Sequence, residues 1–154
     1  MSQAETAQQH GNLPGSAPGH RLRPDAHNRA RGLVAAAVTA GRGISKAHAA
    51  RLFQRVAESA AQPLGKVRAE LIPDSSWKRA GKVLGPQASQ TAARLDHALE
   101  LATRVWGSET DATDWLNSPH PELDGATPFS LLKTEAGGRA VEGLLAALEF
   151  GFPV

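Results

Sequence analysis

The side chains that could bind a metal, move a proton or hold a phosphate are sparse in this 154-residue chain. Its six histidines, His10, His20, His27, His48, His97 and His120, fall at no ligand spacing such as the i, i+4 pair that would place two imidazoles on one helical face. Cysteine is absent, which removes disulfides, thiolate zinc sites and a sulfur nucleophile. "GRGIS" at 41–45 is too short for a phosphate-cradling loop and follows no strand. Nothing sets a serine beside a histidine, and the carboxylate pairs Asp111/Asp114 and Glu122/Asp124 read as helix-start charge and loop polarity. These residues argue against an enzyme, a resident metal and a cofactor.

One polar cluster does have the chemistry of recognition. Ser75, Ser76, Lys78 and Arg79 put hydroxyls and cations at the start of a short helix, where a helix-turn-helix reads base edges. Lys66, Arg68 and Lys82 stand nearby as phosphate partners. The same cluster also fits a solvated helix end with Trp77 in the core. Charge is divided along the chain: residues 1–82 hold 13 of the 17 Lys and Arg but 5 of the 15 acids, a net +8, against −6 for 83–154. A basic half suits a polyanion such as nucleic acid, and equally suits attraction to the acidic half.

The elements that must position these residues are helical. Alanine is abundant, aromatics make up 5% and tyrosine is absent, a composition for close helix packing rather than a β-sandwich. Residues 1–30 lack periodicity and read as a flexible basic arm carrying Arg21, Arg23 and Arg29. A short Ala-rich helix is expected within 31–43. Ser45 caps a helix over 46–60 with Leu52, Phe53 and Val56 on one face. Pro63 and Ile72-Pro73 bracket a second helix, and Asp74 caps a third over "SSWKRAGKVLG". The longest helix runs from Pro86 to Trp106, with Leu95, Leu99, Ala102 and Trp106 on its apolar face. "SETD" at 108–111 is a capping box, Thr127-Pro128 an N-cap with proline at the first position, and Thr134 caps a final helix ended by Gly151.

The chain then ends on apolar residues, Phe150, Phe152, Pro153 and Val154, which at a terminus require a burial partner. The stretch "WLNSPHPELDGATPFSLLKTEAGGRAVEGLLAALEFGFPV" carries a pattern, A..WL..P...L.G.TP..LL.T..G...V..LL..LE.G, set by Ala112, Trp115, Leu116, Pro119, Leu123, Gly125, Thr127, Pro128, Leu131, Leu132, Thr134, Gly137, Val141, Leu144, Leu145, Glu149 and Gly151. It closely resembles the toxin-binding domain of Xre/MbcA/ParS-type antitoxins. Upstream, "GISKAHAARLFQRV", "IPDSSWKRA", "LGP" and Arg94-Leu95 resemble the helical N-terminal module of the same family.

The resemblance implies an all-α antitoxin of a type II toxin-antitoxin system. A degenerate helix-turn-helix module is joined by a long helix to a small helical toxin-binding domain. The expected division is an arm at 1–30, the helix-turn-helix-like module at 31–84, a connecting helix at 85–107 and the toxin-binding domain at 108–154. The implied partner is a RES-domain toxin that degrades NAD, blocked at its active site by the antitoxin's C-terminal helix and tail. NAD is then the toxin's substrate and no cofactor of this chain. Family members typically dimerise and repress their own promoter. Glu149, Phe150, Phe152 and Val154 are the expected toxin contacts, exposed in the free chain, and Ser75, Ser76, Lys78 and Arg79 the expected DNA contacts. Trp115, Leu116, Leu131, Leu132 and Val141 are expected in the core, while Gly125 and Gly137 match the pattern's turn glycines. The long helix starts with Arg94 as its only arginine in "GPQASQTAARLDHA", which weakens the case for a specific operator. The alternative is a DNA-binding repressor whose C-terminal domain is mainly a dimer interface. Without a signal peptide or an apolar run of about 20 residues, the expected location is the cytoplasm, with no membrane partner.

Overall fold

The computed structural model describes Val38 and residues 41–151, so the arm at 1–30 and most of the helix expected within 31–43 lie outside the described residues. Among those described, the chain is all-α. The helices are α1 (Lys46–Ser59), α2 (Leu64–Leu71), α3 (Asp74–Arg79), α4 (Pro86–Trp106), α5 (Glu109–Asn117), α6 (Pro128–Leu131) and α7 (Glu135–Phe150), with a 3-10 turn at Pro121–Leu123. No helix among them is long and apolar enough to cross a membrane.

Local chemistry accounts for the helix starts. Ser45 Oγ accepts from the His48 amide at 3.1 Å, Ser108 Oγ from Asp111 at 3.1 Å, Thr127 Oγ1 from Ser130 at 3.2 Å and Thr134 Oγ1 from Gly137 at 3.0 Å. Each such cap stabilises its helix by roughly 1 kcal/mol. In the "SETD" box the Asp111 carboxylate accepts from the Ser108 hydroxyl at 2.5 Å, so the reciprocal bond is made to the side chain. Left-handed Gly107 and Gly151 end α4 and α7, as their positions in the sequence predict.

The third helix departs from expectation. It stops at Arg79 instead of continuing to Gly85, and Ala80 turns extended. A tertiary pairing takes the chain away. Ser45 and Val83 form an antiparallel bridge, Lys46 N donates to Lys82 O at 2.9 Å and Leu84 N to Ile44 O at 2.8 Å. Ser89 Oγ locks the strip, accepting from Ile44 N at 2.9 Å and donating to Leu84 O at 3.0 Å. Asp74 is also not the cap; it is the first residue of α3, and its carboxylate is engaged by Arg68.

A single hydrophobic cluster runs from Ile44 to Leu145 and draws buried side chains from α1, α2, α4, α5, α6 and α7. Phe53 of α1 is fully buried within it. Its ring meets Trp77 of α3 and Phe129 of α6 edge-to-face, both at 6.4 Å between centroids. A polar seam adds to this apolar join. Asn117 Nδ2 donates to Val56 O at 3.1 Å, the Ser59 hydroxyl to Asp114 Oδ1 at 2.6 Å, and Arg55 pairs with Glu109 at 3.0 Å. Helix α1 therefore holds α5 directly, and the two ends of the described chain share one core.

Candidate partner-binding surfaces

The C-terminal surface is built on α4 and α7. Arg94 of α4 donates from Nε to Leu132 O at 2.9 Å and from Nη2 to Lys133 O and Thr91 Oγ1, each at 3.0 Å. The guanidinium thereby satisfies carbonyls at the end of α6 and sets where α7 begins. Burial pulls its pKa below the ordinary arginine value, and the nearby Glu135 opposes that shift. Its stem lies on Gly138, where a Cβ would come within 2.8 Å of Arg94 Cδ. Farther along, His97 Nε2 stands 3.7 Å from Glu142 Oε1. Contacts 94 to 138 and 97 to 142 advance together, so α4 and α7 run parallel and finish at the same end of the molecule.

Two glycines of the sequence pattern act differently from each other. Gly125 has φ +77°, a left-handed turn conformation, as expected. Gly137 is no turn glycine: it lies in the first turn of α7, where a Cβ would collide with the Leu131 carbonyl. Close backbone approach, not conformational freedom, excludes a side chain there. Trp115, Leu116, Leu132 and Val141 are buried, and Leu131 is half-buried.

Past Leu148, which still packs against the core, the apolar face of α7 loses its cover. Leu148 is half-buried, Glu149 is exposed, and Phe150 is 72% exposed. Phe152 and Val154, the other expected toxin contacts, lie outside the described residues. Trp106 corrects its own expectation. Placed by periodicity on the apolar face of α4, it is 42% exposed, with its ring 6.4 Å from that of Trp115.

The second surface is α3. Trp77 turns inward, with Lys46 Nζ 5.1 Å and the Arg68 guanidinium 5.2 Å from its ring centroid. Lys46 Nζ also donates to Ala80 O at 3.1 Å, at the end of α3. Arg68, expected to face phosphates, is buried: it donates to Ile72 O at 2.9 Å and binds Asp74. The guanidinium beside Asp74, by hydrogen bond and then by charge, holds that carboxyl below its ordinary 3.8. Ser75, Lys78 and Arg79, spaced i, i+3, i+4, are exposed. Ser76 is half-buried and with Arg79 lines a cleft of about 570 Å³ that Arg42, Val83 and Gln87 also border. Among the described residues no cluster of three His, Asp or Glu side chains is placed to hold a metal ion.

Comparison with known families adds a direct finding. Residues 101–151 match the antitoxin Xre/MbcA/ParS C-terminal toxin-binding domain. The matched span starts inside α4, at Leu101, and so takes in Trp106, α5, α6 and α7. No curated protein matches the chain.

Proposed function

With residues 101–151 carrying the toxin-binding domain of an antitoxin, we propose that this chain neutralises a RES-domain toxin that degrades NAD, by seating the end of α7 and the tail after it at the toxin's active site. The observation that supports this most is the uncovered end of a firmly held helix. Arg94, the Thr134 cap and the Gly137 close approach fix the start of α7, while Glu149 and Phe150 project from its last turn. A ring 72% exposed stands to gain about 2 kcal/mol when a partner buries it. The acid beside it, Glu149, would oppose cationic side chains in a nucleotide site. The contacts proposed are Glu149, Phe150, Phe152 and Val154, and the chain is expected to act in the cytoplasm as a homodimer.

Removing residues 150–154 tests this reading in cells co-expressing a RES-domain toxin that the full chain neutralises. The expected result is loss of protection with an unchanged thermal unfolding curve. A truncated protein that still protects would end the plugging mechanism.

A second activity, repression of its own promoter, is supported by the exposed Ser75, Lys78 and Arg79 on one face of α3 and by the net +8 of residues 1–82. Gel-shift titration with upstream DNA should show weaker binding for the double variant Lys78→Ala/Arg79→Ala, with toxin affinity unchanged. Equal DNA affinity for variant and wild type would remove α3 from that role. In this arrangement the units at 31–84, 85–107 and 108–154 divide the work into DNA contact, connection and toxin contact.

A further inference from the structure

We propose that Trp106 is a second aromatic anchor for the toxin, so that the partner is held by the end of α4 as well as by the end of α7. This rests on the antitoxin reading above and extends its contact surface to a helix outside the tail.

Three observations converge on it. Trp106 and Phe150 are the two large hydrophobic side chains of the matched span that stand exposed, at 42% and 72%. They share one end of the molecule. Trp106 lies nine residues beyond His97 and Phe150 eight beyond Glu142, so from that paired level the parallel helices rise about 13 and 12 Å to the two rings. The indole is braced as well as exposed. Trp115 packs beside it at 6.4 Å, and Trp115 is itself met by the His120 ring at 6.2 Å, with His120 Nδ1 accepting from Glu122 N at 3.2 Å. A pre-positioned aromatic loses little side-chain entropy on binding, which suits an interface anchor.

The setting also defines the partner's face. Glu109 and Asp111 lie in the first turn of α5 just past Gly107, Glu149 directly precedes Phe150 in α7, and Arg104 is the cation of the last turn of α4. Glu109 is paired with Arg55, and Asp111 accepts from the Ser108 hydroxyl. A toxin surface with an apolar cleft for the two rings and a cation opposite Glu149 fits this arrangement.

The test uses the full chain and a purified RES-domain toxin, inactivated so that it can be produced alone. Calorimetric titration should show Trp106→Ala weakening the complex about tenfold or more, which is about 1.4 kcal/mol, while Trp106→Phe keeps most of the affinity. A folded Trp106→Ala variant with wild-type affinity overturns the proposal. A readout that needs no destabilising change is fluorine NMR of the chain labelled with 5-fluorotryptophan, its Trp106 signal assigned with Trp106→Phe. That signal should shift when unlabelled toxin is added, and an unmoved signal in a formed complex overturns the proposal too. So does sedimentation in which Trp106→Ala dissolves a homodimer and leaves toxin affinity intact, since the ring then belongs to a second copy. If the wild-type chain binds no toxin, the antitoxin reading falls and takes this one with it. If truncation at 150 abolishes protection while Trp106→Ala binds normally, this inference alone falls.

Discussion

Helix α3 and the end of α7 both face outward, yet they are held by different forces. Six residues long, α3 adds charge to one apolar anchor: Trp77 packs on Phe53, Lys46 and Arg68 lie against the same ring, Arg68 binds Asp74, and Lys46 holds the Ala80 carbonyl. Helix α7, at 16 residues, is secured by the buried stripe Val141, Leu144 and Leu145 and by Arg94 at its start. The comparison shows where each surface has side chains to spare. At α3 part of the cationic complement is committed to structure, while Lys78 and Arg79 stay exposed. At α7 the core takes in Leu145 and, in part, Leu148, and Phe150 beyond them stays exposed.

The sharpest way to break the α7 side is Gly137→Ala. The new methyl would meet the Leu131 carbonyl, which cannot retreat because it belongs to α6, so a loss of about 3 kcal/mol is expected in denaturant unfolding. Toxin affinity should fall with it, because α7 must shift. A variant as stable as wild type would show that the approach can relax. Next in size, Arg94→Met keeps a stem over Gly138 but leaves the Leu132 and Lys133 carbonyls without their donor. About 2 kcal/mol should be lost in the same measurement. No change would mean that the apolar stripe alone positions α7.

The smallest effect belongs to α3 and depends on pH. The folded-state pKa of Asp74 is depressed, so its stabilising contribution is complete above the ordinary aspartate value and is lost as pH falls through the folded value. Asp74→Asn should therefore be slightly less stable than wild type at neutral pH, and the two thermal melting curves should converge below about pH 4. The carboxyl is exposed, so added salt should narrow the gap as well. A gap independent of pH would assign the effect to local helix propensity instead of the Arg68 pair.

Much of the architecture was legible because it is local. Caps at Ser45, Ser108, Thr127 and Thr134, the stops at Gly107 and Gly151, and the stripe from Val141 to Leu145 depend on residues within a turn or two of one another. The patterned positions from Ala112 to Gly151 were dense enough to point to the toxin-binding domain that residues 101–151 match. Candidate DNA contacts were harder to sort. Lys66 is exposed, but Arg68 sits at a spacing equally consistent with a phosphate contact, and only its neighbours Ile72 and Asp74 show it buried.

What the tertiary structure alone decided lies in pairs far apart along the chain. Ser45 with Val83 ends α3 early, Lys46 reaches Ala80, and Arg94 reaches Leu132. Trp106 belongs to the same class: a period of 3.6 places it on the apolar face, but whether that face is covered so close to the end of α4 depends on how far the neighbouring helices extend. Sequence pattern sets which face of a helix is apolar, since that follows from backbone geometry. Which part of the face finds a partner within the chain, and which is left for another protein, is set by packing between distant segments.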